Sequence, residues 1–392
     1  MSRSRLASLT LCFCLQPLAA QTQDLCLGTW NLEFLGAAGD FRNHLPPRTD
    51  VDFQKLGAKV RELGVAVLAV QEICGAAPLQ KVATAAGPTW RILLGTSGSW
   101  DDGVTSQQIG FLYDDARVEL LQAEELLQLP QKVDGVPIFH RIPVTACFRD
   151  RRTGFDFRAV TVHLKAGQKP ADEQKRRLEA SHLAEWLQSV LAEPNQDQDL
   201  ILLGDFNSTY GAEPQRVFER GGGLQYVIPE IPVPTIQHFP EPIDQIVLSA
   251  GFTEIPRTSF RVHHDLGGLS KEQWRQTYSD HFPVTVTVQA DRDTDPDAGF
   301  RPAAPERRLP VALRPEAPAA QAGGAARALG EARWPPALGT QVRVYPVDPE
   351  AMLLDGELAA PLPQGPGGWV VVRTTKGLIG LPLDQVRRLD VR

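Results

Sequence analysis

Cysteine is scarce in this chain, with five in 392 residues. That density excludes a small scaffold stapled by disulfides, and no Cys/His spacing suits a zinc site. Cys12 and Cys14 fall in the N-terminal leader described below, which leaves Cys26, Cys74 and Cys147. One disulfide plus one free thiol fits that odd number, and the sequence does not choose the pair. Positive charge is not in excess either: 40 Lys and Arg face 47 Asp and Glu. No global basic field therefore announces a nucleic-acid binder, although a local cluster or bound cations can still hold phosphate. After the leader no apolar run is long enough to span a bilayer. Internal repeats are absent, which excludes repeat architectures.

What is present begins with a targeting segment. Arg3 and Arg5 precede an apolar run over residues 6–15, and Pro17-Leu18-Ala19-Ala20 follows. A charged start, a short apolar middle and small residues make a secretory signal, with cleavage expected after Ala20. The expected location is secreted or periplasmic.

Residues 24–289 alternate strands with helices, which is the pattern of an α/β domain. Strands are expected at 25–30, 65–70, 90–94, 109–113, 144–148, 155–164, 200–203 and 243–248, and again after Pro283. Helices are expected at 51–63, 78–86 and 170–191. In the last, Pro170 suits the first turn, Asp172 and Glu173 complement the dipole, and Leu183, Leu187, Val190 and Leu191 form a stripe. Composition shifts after about residue 289. Residues 291–339, rich in Pro, Ala, Arg and Gly, read as a disordered linker. Residues 340–392 regain short alternating strands with Gly and Pro turns and read as a small all-β barrel. The expected division is thus 1–20 signal, 21–290 catalytic domain, 291–339 linker and 340–392 barrel, the whole a monomer.

Polar residues collect at the strand tips. The apolar run Leu200-Ile201-Leu202-Leu203 ends at Gly204 and delivers Asp205-Phe206-Asn207-Ser208. Asp205 and Asn207 share a face because strand side chains repeat every second residue. Alone this would be an ordinary turn. Five more tips accompany it: Asn31-Leu32-Glu33, Gln71-Glu72, His163-Leu164-Lys165, Asp244, and Ser279-Asp280-His281.

In their order and spacing these six pieces resemble the endonuclease/exonuclease/phosphatase superfamily, the fold of deoxyribonuclease I. The C-terminal strands weakly resemble an SH3-like module. The family resemblance implies a four-layer αββα sandwich and hydrolysis of phosphate esters assisted by Mg²⁺, with Mn²⁺ or Ca²⁺ as alternatives. Hard carboxylate and amide oxygens suit such ions, which offset charge growing on the phosphoryl oxygens. The resemblance makes Glu72 the principal metal ligand, with Asn31, Glu33 and Asp280 around it. It gives Asp205 the attacking water and Asn207 a phosphate oxygen. His281 becomes a base or phosphoryl stabiliser oriented by Asp244, and His163 a proton donor to the leaving oxygen. Arg141 and Lys165 become candidate phosphate contacts. One departure concerns His163: some nucleases support this histidine with a glutamate, and the local residues here are the neutral Gln107 and Gln108.

Three functions stay open at this point. The leading one is a metal-dependent endonuclease with DNA or RNA as partner. The second is a phospholipid or inositol-phosphate phosphodiesterase of the same fold. The third is a catalytically silent binding protein, against which the intact Glu72, Asp205, Asn207 and His281 argue.

Overall fold

The structure is a computed structural model that describes residues 24–36, 47–98, 107–133, 135–229, 231, 233–295, 298–300 and 309. It also describes the backbone of five strands between residues 341 and 391. The expected signal, most of the loop at 97–105 and the linker beyond residue 309 lie outside the described residues. The chain divides into two compact units, residues 1–313 and 314–392.

The first unit runs β1 (Leu25–Leu35), α1 (Asp50–Glu62), β2 (Val67–Ile73), α2 (Ala76–Ala86), β3 (Trp90–Leu94), β4 (Gln108–Asp114) and β5 (Val118–Glu125). A small hairpin follows, β6 (Lys132–Val133) and β7 (Val136–Pro137), then β8 (Val144–Asp150), β9 (Asp156–His163), α3 (Pro170–Leu191) and β10 (Leu200–Asp205). The unit ends with α4 (Glu213–Glu219), β11 (Leu224–Tyr226), β12 (Asp244–Ser249), β13 (Arg261–Val262), α5 (Lys271–Thr277) and β14 (Val284–Val288). Two six-stranded mixed sheets result, of order β13-β14-β1-β2-β4-β3 and β11-β12-β10-β9-β8-β5. The second unit holds β15 (Gln341–Pro346), β16 (Leu354–Leu358), β17 (Trp369–Thr374), β18 (Gly377–Pro382) and β19 (Val386–Val391). They form one antiparallel sheet of order β18-β17-β16-β15-β19.

The apolar runs explain the layers of the first unit. A strand covered on both faces has no polar side to show. In β10, Ile201 and Leu203 enter the core between the sheets, beside Phe111, Phe148 and Val286. Leu200 and Leu202 point the other way, against Leu183 and Leu187 of α3 and Phe218 of α4. β2 does the same: Val67 and Ala69 face the inter-sheet core, while Leu68 and Val70 pack under Leu56 and Val60 of α1 and Leu79 of α2. Each buried Leu, Val or Phe contributes about 1.5–3 kcal/mol of transfer free energy, so this interdigitation dominates the stability of the unit.

Caps set the helix starts. Thr49 and Asp52 form a capping box at α1, Ser270 and Gln273 another at α5, and Pro170 opens α3. Val190 and Leu191 are only half-buried, so the buried stripe of α3 lies nearer its start, at Arg176, Glu179, Ala180, Leu183, Ala184 and Leu187.

The packed chain runs past the boundary expected at residue 290. The Gly299 N–H donates to Asn195 O at 3.1 Å, and Leu309, 7% exposed, donates its N–H to Ala123 O at 3.1 Å. These are backbone contacts, to which composition is blind. None of Cys26, Cys74 and Cys147 is in a disulfide.

Gly204 is required by close approach. Its φ is +153°, and a Cβ there would stand 2.1 Å from the Val162 carbonyl oxygen of β9. We expect Gly204→Ala to cost about 2–4 kcal/mol in a denaturant titration, because β9 and β10 must part to admit the methyl. A change below about 0.5 kcal/mol would mean the strands have slack there.

Candidate active site

The polar tips meet at one end of the two sheets. β1 and β2 run parallel with Asn31 opposite Gln71, and β9 and β10 run parallel with His163 opposite Asp205. Asp205 also faces Asp244 across the antiparallel pair β10–β12. Strand pairing alone therefore brings His163, Asp205 and Asp244 together in one sheet, while Asn31 stands beside Gln71 in the other.

The focal atom is Asp205 Oδ2. It accepts a hydrogen bond from Asn31 Nδ2 at 3.0 Å, lies 3.4 Å from His163 Nε2 and 3.8 Å from His281 Nε2. The other oxygen, Oδ1, accepts the Asn207 N–H at 2.8 Å. Asn31 Nδ2 donates also to Glu72 Oε1 at 3.2 Å, and Glu72 Oε2 accepts the Phe34 N–H at 3.1 Å. Opposite, the His281 Nδ1–H donates to Asp244 Oδ2 at 2.8 Å, which leaves Nε2 facing the cleft. The His281 segment is tied to β1 by Trp30 Nε1 donating to the His281 carbonyl and by Ser279 Oγ donating to the Asn31 carbonyl.

The backbone is bent to achieve this. Glu33, Phe34, Glu72 and Asn207 all have positive φ, between 44° and 59°. Side chains other than glycine rarely take that conformation, at a cost of about 1–3 kcal/mol each when held there. Apart from Asn195, every described non-glycine residue with positive φ is one of these four.

Burial sets the charges. Asp205, 2% exposed, is pushed up to about 7 by burial; His281 pulls it back and Asp244 adds to the rise. Burial also raises Glu72, with Asp280 reinforcing it. The two histidines diverge. Burial drives His163 well below the ordinary imidazole value, helped by Arg141 and His281. Burial opposes charge on His281 too, but Asp244, Asp280 and Asp205 outweigh it and hold the ring well above its ordinary value. The cleft thus holds a neutral imidazole and an imidazolium on either side of one carboxylate.

Several expected roles change with this geometry. Asn31 turns its NH₂ to both carboxylates and its oxygen to the Glu33 N–H at 2.9 Å, so it organises the two carboxylates by donation. Glu33 is occupied: Arg275 Nε donates to Oε1 at 2.7 Å and the Asp280 N–H to Oε2 at 3.1 Å. His163 is held neutral and its Nδ1 has no hydrogen-bond partner, which disfavours it as a proton donor. Asn207 spends its Nδ2 on the Leu164 carbonyl at 3.0 Å, although the residue lines the cleft. Arg141, expected to touch phosphate, is 6% exposed and donates to the His163 and Leu164 carbonyls and to Gln107 Oε1. It braces the end of β9. Lys165 pairs with Asp172 at 2.9 Å and does not line the cleft.

The sequence reading missed Arg275, Arg176, Arg177 and His238, which line the same cleft of about 1570 Å³ with Glu72, Asp205 and His281. Arg176-Arg177 sits in a helix where paired bases read as solvated surface, and Arg275 lies on α5, too short to show a period. Asp205, Asp244 and His281 offer one oxygen or nitrogen each within 4.8 Å, a group able to hold a metal ion. Glu72 has no Lys or Arg ion pair among the described residues, and His163 Nε2 lies 3.8 Å from its Oε1. A half-buried carboxylate left with amide donors fits a cation beside it.

A family model for endonuclease/exonuclease/phosphatase proteins matches residues 28–281. The chain belongs to the endonuclease/exonuclease/phosphatase family. A deoxyribonuclease of Thioalkalivibrio sp. (strain K90mix) is 28% identical over 195 residues, 48% of each chain, so the chain spans about half the length of the curated relative it matches. An endonuclease/exonuclease/phosphatase from Bacteroides vulgatus has the same fold at a TM-score of 0.50 and 16% identity, over 67% of this chain and 97% of that one. The human Nocturnin catalytic domain with bound sulfate is 14% identical, over 67% of this chain and 93% of that one, at a TM-score of 0.49.

Asp244→Asn keeps the shape of the His281 partner and removes its charge. We expect a loss of about 10³–10⁴-fold in turnover with the fold intact by circular dichroism. A rate within tenfold of the parent, roughly 1.4 kcal/mol, would show that Asp244 merely fills space. Lys165→Ala should leave turnover within about twofold in the same assay, since its partly exposed pair with Asp172 lies outside the cleft lining.

Proposed function

We propose that this chain is a secreted, metal-dependent phosphodiesterase that cuts nucleic acid. The observation that carries the reading is the Asp205 carboxylate set between Glu72 and the Asp244–His281 pair in an open cleft. Arg176, Arg177, His238 and Arg275 line that cleft with Glu173 and Glu213, and the basic groups among them offer contacts for a phosphate backbone. The deoxyribonuclease relative supports the same substrate class. The export signal at residues 1–20 supports secretion, and the small C-terminal sheet, SH3-like in this reading, is an added module.

The residues divide the work by their charge. Glu72 and Asp280 would hold Mg²⁺ or a similar hard cation, which would neutralise charge on the phosphoryl group. Asp205 takes a proton from the attacking water, since burial raises its affinity for one; as the water oxygen bonds to phosphorus the P–O bond to the leaving oxygen breaks, and the alkoxide takes a proton from solvent. The His281 imidazolium donates Nε2–H to a non-bridging oxygen and strengthens that bond as charge builds. Asn31 keeps Glu72 and Asp205 in fixed relation, which is worth rate because reacting groups must be placed to within fractions of an ångström.

The test uses the chain from residue 21, purified, on supercoiled plasmid. It should nick with Mg²⁺ or Mn²⁺, lose activity in EDTA, and lose at least about 10³-fold in turnover with Asp205→Ala or His281→Ala. Choline-phosphate release from sphingomyelin, or phosphate from inositol phosphates, without nicking would replace the nuclease by a lipid or inositol enzyme. Inactivity on all three would favour a binding protein.

A further inference from the structure

A second acidic centre lies at the other end of β10. The strand is entered through Asn195-Gln196-Asp197-Gln198-Asp199, and this turn is clamped by the chain that leaves β14. The Asp197 N–H donates to Gly299 O at 2.9 Å, the Gln198 N–H to Asp295 Oδ2 at 2.8 Å, and the Asp295 N–H to Asp293 Oδ1 at 3.0 Å. Asp197, Asp199 and Asp295 bring their carboxylate oxygens within 4.8 Å of one another.

Convergence alone would be unremarkable for acidic turns. The observation that points to a ligand is Asp199. It is 1% exposed, and neither of its carboxylate oxygens has a hydrogen-bond partner. Glu254, 2% exposed, leaves Oε2 unpartnered, and Asp295 leaves Oδ1. A buried carboxylate without donors is among the most unfavourable groups a protein can hold. The charges around Asp199 are Glu254, Asp197, Asp295 and Asp293, all of one sign. The buried cation on the adjacent strand does not answer them: Arg158 reaches Thr145 Oγ1 at 3.4 Å and lies over the Phe300 ring at 5.4 Å. Arg149 is taken by Asp156 at 2.6 Å.

We propose that Asp197, Asp199 and Asp295, with Glu254 beside them, form a structural calcium site that fastens the chain leaving β14 to the start of β10. The donors are all hard oxygens, which excludes thiolate- or imidazole-seeking metals. Their arrangement in two irregular segments suits Ca²⁺, which takes six to eight oxygens in a flexible shell, better than Mg²⁺, which demands a regular octahedron and keeps its waters. The site is separate from the cleft. The length of β10 lies between Asp199 and Asp205, about 20 Å of strand.

The experiment is the melting temperature of the full chain in EGTA and then in millimolar CaCl₂, with bound calcium counted by equilibrium dialysis. Calcium should raise the melting temperature by about 5 °C, the shift for a site filled well above its dissociation constant. Glu72→Gln, which disables the cleft, should keep that rise. Asp199→Asn should lose it and bind one calcium fewer per chain, while plasmid nicking in Mg²⁺ at low temperature stays near the parent rate. If Asp199→Asn fails to fold, Asp295→Asn reads the same loss. An undiminished calcium shift in Asp199→Asn or Asp295→Asn, or no shift in Glu72→Gln, would overturn the site and leave a set of acids that share protons. Failure of the nuclease reading would leave this result untouched, since melting and calcium counting need no substrate.

Discussion

Two carboxylates, one from each sheet, face each other at the mouth of the inter-sheet core, and one amide stands between them. Asn31 Nδ2 donates to Glu72 at 3.2 Å and to Asp205 at 3.0 Å. Without that bridge two buried like charges would push the sheets apart or draw in protons. The neighbouring polar contacts repeat the device one layer deeper, where Gln71 Nε2 donates to Thr29 Oγ1 on its own sheet and to Thr161 Oγ1 on the other, both at 3.1 Å. The core below is apolar and interchangeable in detail. This polar seam fixes the register of one sheet over the other, because each donor must find its acceptor or be left buried and unpaired. The cleft depends on that register more than on any single side chain in it.

The site's strain follows from the same constraint. Glu72 and Asn207 leave their strands in the left-handed region, at φ of 59° and 49°. An extended exit would carry these side chains along the sheet; the reversal turns them inward over the seam. Gly204 serves it differently, letting β10 approach β9 so closely that Asp205 and His163 lie side by side. Packing beneath offsets these local costs, for β10 is buried along its whole length.

What could be read from the sequence was what repeats along it. The runs at 65–70 and 200–203 announced strands covered on both faces, and the tips that close them announced a site. β3 and α3 lie where periodicity put them, at Trp90–Leu94 and Pro170–Leu191. β5 was invisible because Glu119, Gln122, Glu124 and Glu125 dilute its alternation, and an edge strand is held by one neighbour, β8, whose position the local sequence does not encode. α5 was invisible because seven residues are two turns, too few to show a face. Positions within the site were legible from the strand tips, and the fold puts His281 Nε2 3.8 Å from Asp205 Oδ2. Roles were not, as Asn31, Glu33, Arg141 and Lys165 show, since an amide, acid or base can bind substrate or brace a neighbour, and only the partner decides. Arg275 was the missing partner that decides for Glu33.

The two acidic centres on β10 share a physical logic, and comparing them says why they differ in kind. In the cleft, Asp205 is buried but has donors: Asn31, the Asn207 N–H and two imidazoles nearby. Its charge can be borne with or without a proton, and that indifference, a value of about 7, is what a group that accepts and returns protons needs. At Asp199 no donor is present, so the carboxylate is tolerable only when neutralised outright. A group in that condition cannot cycle between states at neutral pH. It can only be held in one, by a proton or by a cation, and holding is the task at the root of a strand whose tip must not move. One strand therefore carries at its tip a carboxylate balanced between two states and at its base a carboxylate that is held in one.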